Sequence, residues 1–448
     1  MLFLLPFLIL LLVLFFTKSN IFALLSALLS SFFVYCYLFK VSFLFFINQL
    51  LPGFFLEIIS PNGYLYPLLF LLLIACLIDL FKDLEILDSY SAFLNLFLQN
   101  SGNKIIDLCV LISPLFFFLD DYLNMFGIKS FFGPLISDSE QNKKELSFYT
   151  INISAGGSVL FFFSTWSGII INQIKGVQKN IPSWQDISAV TLFLESKKYL
   201  IYPIVAYLVL FVHMYTKKKN LLIIKKIHNK KKIFLIDIFI FLLLPVSIGM
   251  NFLYKMFFLL LPLAQLDVSY VMLEGIFFGC IFIFFFLILY KSISYRYILS
   301  SFSKTLLDYK NTIITLLLCW LFSKISLLLL QLNFSFTMPP YLMYLSPVLY
   351  FLLSVLVSFI IGSEWGTLSI MIPLLVCVKD YHNLLLILGA VISGVIAGAQ
   401  LSPISNTATT VSAIFEVDLL KSYLYRIKYS LLMILFSTIV YFLLGYFL

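Results

Sequence analysis

The segment 384–415 sets a polar decade, "LSPISNTATT" (Leu401–Thr410), between the apolar runs "LLLILGAVISGVIAG" and "VSAIF". Pro403 removes a backbone donor and obstructs the helical turn before it. The freed carbonyls, together with hydroxyl and amide oxygens, form the kind of cage that binds a small cation. The alternative is a kinked helix whose Ser and Thr side chains bond back to their own backbone. The predicted ligands are Ser402, Ser405, Asn406 and Thr407.

Composition places the whole chain in the membrane. Hydrophobic residues make up 62% of its 448 residues and charged residues 11%, with a mean hydropathy of +1.07, whereas roughly a quarter of an average soluble chain is charged. Runs such as "GIFFGCIFIFFFLILY" approach the roughly 20 residues that cross a bilayer as a helix. They lack the alternation of a membrane β-barrel. The prediction is an all-α polytopic membrane protein with about 11–13 transmembrane helices. Its first apolar run has no basic region before it and no cleavage site before Lys18, which predicts a span and not a removed signal peptide.

Several classes of function lack their motifs. The six cysteines and three histidines are scattered singly, without metal-ligand spacing, and no nucleotide-binding loop is present. We therefore expect no cofactor, no resident metal and no nucleic-acid partner. A membrane-embedded enzyme acting on charged lipid-linked substrates would need clustered arginines, but Arg296 and Arg426 are the only two and lie far apart. The protein is predicted not to be an enzyme.

A lysine-rich segment divides the chain into two comparable halves. Residues 217–232 are predicted to be a basic cytoplasmic connector, between an N-terminal half, 1–216, and a C-terminal half, 233–448. Binding of anionic lipid or a partner is the alternative for the lysines. Spans are predicted near 1–17, 20–40, 63–80, 104–120, 147–173, 199–216, 233–253, 270–290, 311–331, 345–361, 371–400 and 429–448.

The first half contains its own interruption, "INISAGGSVLFFFSTW" (151–166). Polar and glycine- or proline-broken segments at matching places in two halves indicate a transporter site between inverted repeats with re-entrant hairpins and broken helices. Broken backbone is tolerated at membrane depth only inside protein or beside a wet cavity. This segment adds Asn152, Ser154 and Ser158 to the predicted ion- or substrate-binding residues.

Four charged residues border or interrupt apolar runs. Glu364, in "GSEWGTLSIMIP", is a candidate for proton coupling unless it lies at a wet hairpin tip. Asp120 and Asp121 are further candidates; neighbouring side chains on a helix diverge by about 100°, so at most one of the two is expected to face a site. Lys324 is flanked by apolar residues and is either a fixed charge paired with a carboxylate such as Glu364 or a side chain that reaches the interface.

Taken in order, these motifs resemble the NhaC-type sodium/proton antiporter family, over roughly residues 110 to 415. The resemblance implies an ion-coupled transporter built from inverted repeats, and Ser405-Asn406-Thr407 is similar to the sodium-binding Ser-Asn-Thr motif of dicarboxylate carriers. The matching segments are "LDDYLN" (119–124), "GPLISD" (133–138), "KKELSFY" (143–149), "NISAGG" (152–157), "STW" (164–166), "FLESKKYLIYP" (193–203), "GSEWGTLSIMIP" (362–373) and "SPISNTATT" (402–410).

The chain departs from the family pattern at its acidic positions. Asn152, Ala399 and Asn406 stand where the family has aspartates, and Gln400 where it has a histidine. An asparagine oxygen ligates a cation but carries no proton, so proton coupling would fall to Glu364, Asp120 or Asp121.

The expected function is secondary-active exchange of Na⁺ or Li⁺ for protons. The alternative keeps the fold and carries an organic acid or amino acid, with Lys324 as counter-charge. A degenerate carrier without flux is left open. Expected partners are the cation and protons, or the small organic substrate, and membrane lipid; a homodimer is left open. The predicted location is the bacterial inner membrane, as a multi-pass protein.

Overall fold

A computed structural model describes residues 5–17, 20–60, 64–86, 89, 103–133, 139–216, 235–262, 265–330, 340–378, 384–403 and 405–447. Over these residues the chain is helical and contains no β-strand. The predicted basic connector 217–232 and the part of "GPLISD" from 134 to 138 lie outside the described residues.

Helices α1 to α10 belong to the first half. Their bounds are α1 Leu5–Thr17, α2 Asn20–Phe39, α3 Phe43–Ile58, α4 Leu65–Asp83, α5 Asn103–Ile112, α6 Asp121–Phe132, α7 Glu140–Leu160, α8 Thr165–Gln178, α9 Ala189–Ser196 and α10 Ile201–Thr216.

Helices α11 to α19 belong to the second half. Their bounds are α11 Leu235–Leu253, α12 Val268–Lys291, α13 Tyr295–Asp308, α14 Lys310–Leu330, α15 Ser346–Ile361, α16 Glu364–Met371, α17 Leu384–Leu401, α18 Asn406–Phe415 and α19 Leu419–Phe447. The last helix begins well before the predicted span 429–448, so that it includes Arg426.

The outer surface is apolar, as a lipid-facing surface must be. On α12, for example, Phe277, Phe278, Ile281, Phe282 and Phe285 are all exposed. In the described part of the chain, eight helices are long and apolar enough to cross a membrane, or up to ten when each of two bent helix pairs counts as one span. Three shorter apolar helices accompany them. The prediction of an all-α polytopic membrane protein is confirmed.

The interruption of the first half lies towards the end of the predicted segment 151–166. Helix α7 runs unbroken through Asn152 and Ser158, and the chain bends by 56° between α7 and α8, across residues 161–164. The Asn152 side chain donates from Nδ2 to the Phe148 carbonyl of its own helix, at 2.8 Å. Gly156 and Gly157 serve close packing, against Pro203 and Pro114 respectively. The break therefore falls within the predicted segment, but it follows "NISAGGS", whose residues lie on an unbroken helix.

Helices α15 and α17 pack closely through small residues. A Cβ added to Gly394 or Gly398 would overlap the backbone carbonyl of Phe351 or Val355. Ser358 also donates its hydroxyl across this interface to the Val395 carbonyl, at 2.6 Å. Small residues are the usual means of bringing helix backbones together in a membrane. This interface holds α17, and hence the second break, against α15.

We expect Gly398→Leu to destabilise the protein by about 3 kcal/mol or more, because overpacking costs about 1 to 3 kcal/mol even where neighbours can move, and here the neighbour is backbone. The measurement is thermal unfolding in detergent. Gly249→Leu is the matched control, since a Cβ there meets no atom within 4 Å. Equal melting temperatures for the two variants would contradict the packing argument.

Candidate functional site

The same hydrogen-bond pattern joins a helix start to a helix break in each half. In the first half the Thr165 amide donates to the Leu119 carbonyl at 2.9 Å, and the Thr165 hydroxyl donates to Asp120 Oδ2 at 3.0 Å. In the second half the Asn406 amide donates to the Gly362 carbonyl at 3.0 Å. The Thr407 hydroxyl then donates to Glu364 Oε1 at 2.5 Å. Each half thus pairs a buried carboxylate with a threonine.

Four helices begin at these contacts, and each start is capped by a side chain. Asp120 accepts from the Tyr122 and Leu123 amides at the start of α6. Three serines cap the others: Ser164 caps α8, Ser363 caps α16 and Ser405 caps α18. A helix start has a positive electrostatic potential. The first turns of α6 and α16 therefore stabilise negative charge on Asp120, Asp121 and Glu364.

These three carboxylates line one cavity. It has a volume of about 290 Å³, and Asp120, Asp121 and Glu364 are exposed by only 3%, 3% and 5%. Oδ1 of Asp121 is buried without a hydrogen-bond partner in the described structure. No lysine, arginine or histidine is among the described residues that line this cavity. An uncompensated carboxylate is expensive to bury, so the cavity calls for a proton or a cation.

The carboxylates do not form a preassembled metal centre. Within the described ranges, no three Asp, Glu, His or Cys side chains converge closely enough to hold a metal ion. A cation in this cavity would meet one or two carboxylates together with hydroxyl or amide oxygens.

The cavity has a polar rim. Asn311 and Asn406 line it and are exposed, whereas most of the remaining wall is apolar and comes from α4 and α14. Asn406 therefore belongs to the cavity as the sequence predicts, but at its edge. Asp120 and Asp121 both line the cavity, so the expectation that at most one of them faces a site is wrong: they start a helix at Asp121 instead of following each other along one.

Two of the other predicted ligands, Asn152 and Ser402, lie in a second polar cluster. The Asn152 carbonyl accepts from Gln400 Nε2 at 3.2 Å, and Tyr202 donates its hydroxyl to Gln400 Oε1 at 2.9 Å. Arg426 donates from Nη2 to the Ser402 carbonyl at 2.6 Å. Ser154 and Ser158 are fully buried on α7. None of Asn152, Ser154, Ser158, Ser402 and Ser405 lines the carboxylate cavity, so the structure divides the predicted single site into two clusters.

Lys324 lies away from the carboxylate cavity. Its ammonium pairs with Glu57 at 2.5 Å, and the two side chains are exposed by 32% and 58%. Together they line a second cavity of about 410 Å³ with residues of α8 that include Gln173 and Lys175. The expected pairing of Lys324 with Glu364 or an aspartate is therefore wrong. The organic-substrate alternative, which relies on Lys324 as counter-charge, is not favoured.

An aromatic contact separates the levels of the two cavities. Trp166 of α8 packs against Trp365 of α16, with ring centroids 4.6 Å apart. Trp365 lines the carboxylate cavity. Further along the same helices, Gln173 donates to the Ser369 hydroxyl at 2.8 Å, and Gln173 lines the second cavity.

Sequence reasoning missed three contributors to these sites. Thr165 and Ser363 lie in the matching segments "STW" and "GSEWGTLSIMIP", but a hydroxyl at a helix start is commonplace and does not single them out. Arg426 did carry one: it is one of two arginines in the chain, and it is fully buried. A buried arginine inside a long apolar helix is a functional candidate by default.

The fold and the carboxylate cavity define a multi-pass membrane protein that accommodates small cations or protons. The model of a family described as the Na⁺/H⁺ antiporter family matches residues 159–446 of the chain. The match covers more than half of the sequence, and the chain belongs to this family. It is accordingly a cation/proton exchange transporter, and its family is one of transporters and not of enzymes.

The family match includes the second-half cluster around Glu364 and Asn406, but it begins after Asp120, Asp121, Asn152, Ser154 and Ser158. No curated protein and no solved structure matches the chain significantly. The roles of the first-half residues therefore depend on the geometry described above.

We expect Lys324→Gln to leave cation/proton exchange unchanged and to alter stability by less than about 1 kcal/mol, the range of an exposed ion pair. Exchange in proteoliposomes and thermal unfolding in detergent are the two measurements. Glu57→Gln is the matched variant, and the double variant should behave like either single one. Abolished exchange in Lys324→Gln would return Lys324 to the transport site.

Proposed function

We propose that the protein exchanges Na⁺ or Li⁺ for protons at the cavity formed by Asp120, Asp121 and Glu364. The observation that carries this proposal is the burial of three carboxylates together with no basic side chain among the described lining residues. Such a cavity is stable when a proton or a cation offsets its charge. The two ions therefore compete for the same oxygens, and this competition is the physical requirement for exchange.

The ligand chemistry suits a hard cation, and membership of the Na⁺/H⁺ antiporter family favours a monovalent one. Carboxylate, hydroxyl and amide oxygens are hard ligands and suit hard cations. Glu364, Thr407 and Asn406 supply one ligand of each kind from the second half. Asp121, with its buried unpartnered Oδ1, supplies another from the first half. Because Thr407 donates its proton to Glu364, its own oxygen lone pairs stay available to a cation.

Access would alternate between the two cavities. Helix α14 lines the carboxylate cavity at Leu316 and the second cavity at Lys324, about 12 Å further along a helix that rises 1.5 Å per residue. The contact between Trp166 and Trp365, with the bond between Gln173 and Ser369 beyond it, closes the route between these levels. Opening it requires α8 and α16, one helix from each half, to separate. Rocking of one half against the other is the usual means in repeat transporters.

The two-half division, inverted repeats, the bacterial inner membrane and a homodimer stay predictions. The recurrence of one hydrogen-bond pattern in both halves supports the repeat.

We expect Glu364→Gln to weaken cation binding about ten- to hundredfold, because a contact to a charged group contributes about 1.5 to 3 kcal/mol, and to abolish proton coupling. Gln keeps an oxygen for the Thr407 hydroxyl but cannot titrate. The measurement is sodium-driven proton flux in proteoliposomes containing a pH-sensitive dye.

Glu195→Gln, a change at an exposed position, is the matched control for Glu364→Gln. Asp121→Asn and its control Asp186→Asn, also exposed, test the first-half carboxylate in the same way. Full proton-coupled exchange in both Glu364→Gln and Asp121→Asn would exclude this cavity as the exchange site.

We expect the apparent affinity for Na⁺ to fall by up to about tenfold for each unit by which the pH decreases, the limit for one competing proton. Na⁺ and Li⁺ gradients should move protons, and a choline gradient should not. The measurement is the initial rate of flux against cation concentration at several pH values. A sodium affinity independent of pH in a protein that exchanges ions would show that proton and cation use different groups.

A further inference from the structure

Each broken helix has a basic side chain at its carboxyl end. At the end of α7, Lys197 donates from Nζ to the Leu160 carbonyl at 3.1 Å. At the end of α17, Arg426 donates from Nε to the Gln400 carbonyl at 3.0 Å and from Nη2 to the Ser402 carbonyl at 2.6 Å. The last carbonyls of a helix lack helical partners and form its negative pole. A cation is therefore the expected occupant of both places.

Arg426 has no acidic counter-ion among the residues that the structure describes. Its side chain is fully buried on α19, with its guanidinium 5.5 Å from the ring centroid of Tyr423. A buried charge requires compensation. The carbonyl end of α17 provides it, because Arg426 donates from Nε and from Nη2 to backbone oxygens at that end.

The surroundings of Arg426 are rich in oxygen. Besides the two carbonyls, Ser430 lies one turn along the same face of α19, and its hydroxyl is buried without a partner in the described structure. Asn152 approaches from the other half through Gln400, and its Oδ1 is likewise buried and unpartnered. Backbone, hydroxyl and amide oxygens at a helix carboxyl end are the ligands of a monovalent cation, yet the guanidinium occupies the place.

We propose that Arg426 is a resident cation, which permanently fills an oxygen-lined cation site at the carboxyl end of α17. It acts as a positioning residue: it holds the backbone carbonyls of Gln400 and Ser402 at the carboxyl end of α17, and it keeps exchangeable cations out of this second site. The exchanged cation then binds only in the carboxylate cavity, and this consequence rests on the function proposed above. The occupancy of the second site by Arg426 does not depend on that function.

The direct test removes the guanidinium group by mutation and supplies it again as a free ion in solution. Arg426→Ala should lower the melting temperature in detergent by about 5 °C or more, and millimolar guanidinium or methylguanidinium should restore most of the loss. Arg296→Ala, at the exposed second arginine, should neither lose stability nor respond. Tyr441→Phe loses the buried hydroxyl that donates to the Tyr199 carbonyl and leaves no guanidinium-sized hole. It should be destabilised without responding to guanidinium.

Two further variants distinguish the contribution of the positive charge to stability from that of the hydrogen bonds. They also provide a test if Arg426→Ala does not fold. Arg426→Lys keeps the charge, whereas Arg426→Gln keeps a donor without charge. A resident cation requires the lysine variant to melt at the higher temperature. A glutamine variant of equal or greater stability would overturn the proposal, as would an Arg426→Ala protein whose stability does not respond to guanidinium.

Transport distinguishes this inference from the proposed function. In Arg426→Ala the sodium dependence of exchange should become steeper, because a second site opens, and guanidinium should return it to the wild-type form. Absence of exchange in the wild-type protein, with guanidinium rescue of stability intact, would reject the proposed function and leave the resident cation in place. Normal exchange in the wild-type protein, with no rescue of Arg426→Ala stability by guanidinium, would reject the resident cation and leave the proposed function in place.

Discussion

At membrane depth every backbone amide and carbonyl needs a partner within the protein, and this requirement organises the whole site. Both breaks, at residues 161–164 and between α17 and α18, expose backbone groups that a continuous helix would satisfy. The Thr165 and Asn406 amides recover partners by donating to Leu119 and Gly362. These two carbonyls immediately precede the starts of α6 and α16, so the pairing brings Asp120, Asp121 and Glu364 to the breaks. The positions of the carboxylates follow from a backbone constraint.

Helix-end electrostatics then sorts the charges by sign. Acidic side chains occupy the amino ends of α6 and α16, where the potential is positive. Basic side chains, Lys197 and Arg426, occupy the carboxyl ends of α7 and α17, where it is negative. Each charged side chain is thereby stabilised by a helix end, without a direct salt bridge between these acidic and basic side chains. Such an arrangement leaves the carboxylates without a basic neighbour among the described lining residues, so that a proton or a cation can offset their charge.

The sequence was informative about the class of protein and about the second break. Apolar runs of membrane-spanning length predict the helices, and Pro403 with its polar neighbours predicts the interruption between α17 and α18. The first break lies within the predicted segment 151–166 but not at its glycine pair, because a glycine pair in a membrane helix serves close packing as readily as bending, and Gly156 and Gly157 do the former. Glu364 and the two aspartates stood out by burial cost, but their convergence depends on contacts between residues hundreds of positions apart.

Pairing of charges was the property least accessible from sequence. Lys324 and Glu57 are 267 positions apart. The apolar residues that flank Lys324 in the sequence suggest a buried partner such as Glu364, and nothing in them indicates Glu57. Arg426, in contrast, is only one of two isolated arginines in the sequence. Its structural role depends on hydrogen bonds to the carbonyl end of α17, and a sequence does not show which helix end a side chain reaches.

The neutral residue at 152 acquires a physical reason from Arg426. An aspartate there, as the resemblance implies for the family, would share a buried cluster with a fixed guanidinium, and opposite charges attract strongly in a buried site. A carboxylate held in that way would stay ionised and could not take up a proton. Asparagine keeps the hydrogen bonds of the cluster without adding such a charge. In the proposed function the titrating acids are consequently those of the cavity that no described basic side chain lines, and this is where proton and cation would compete.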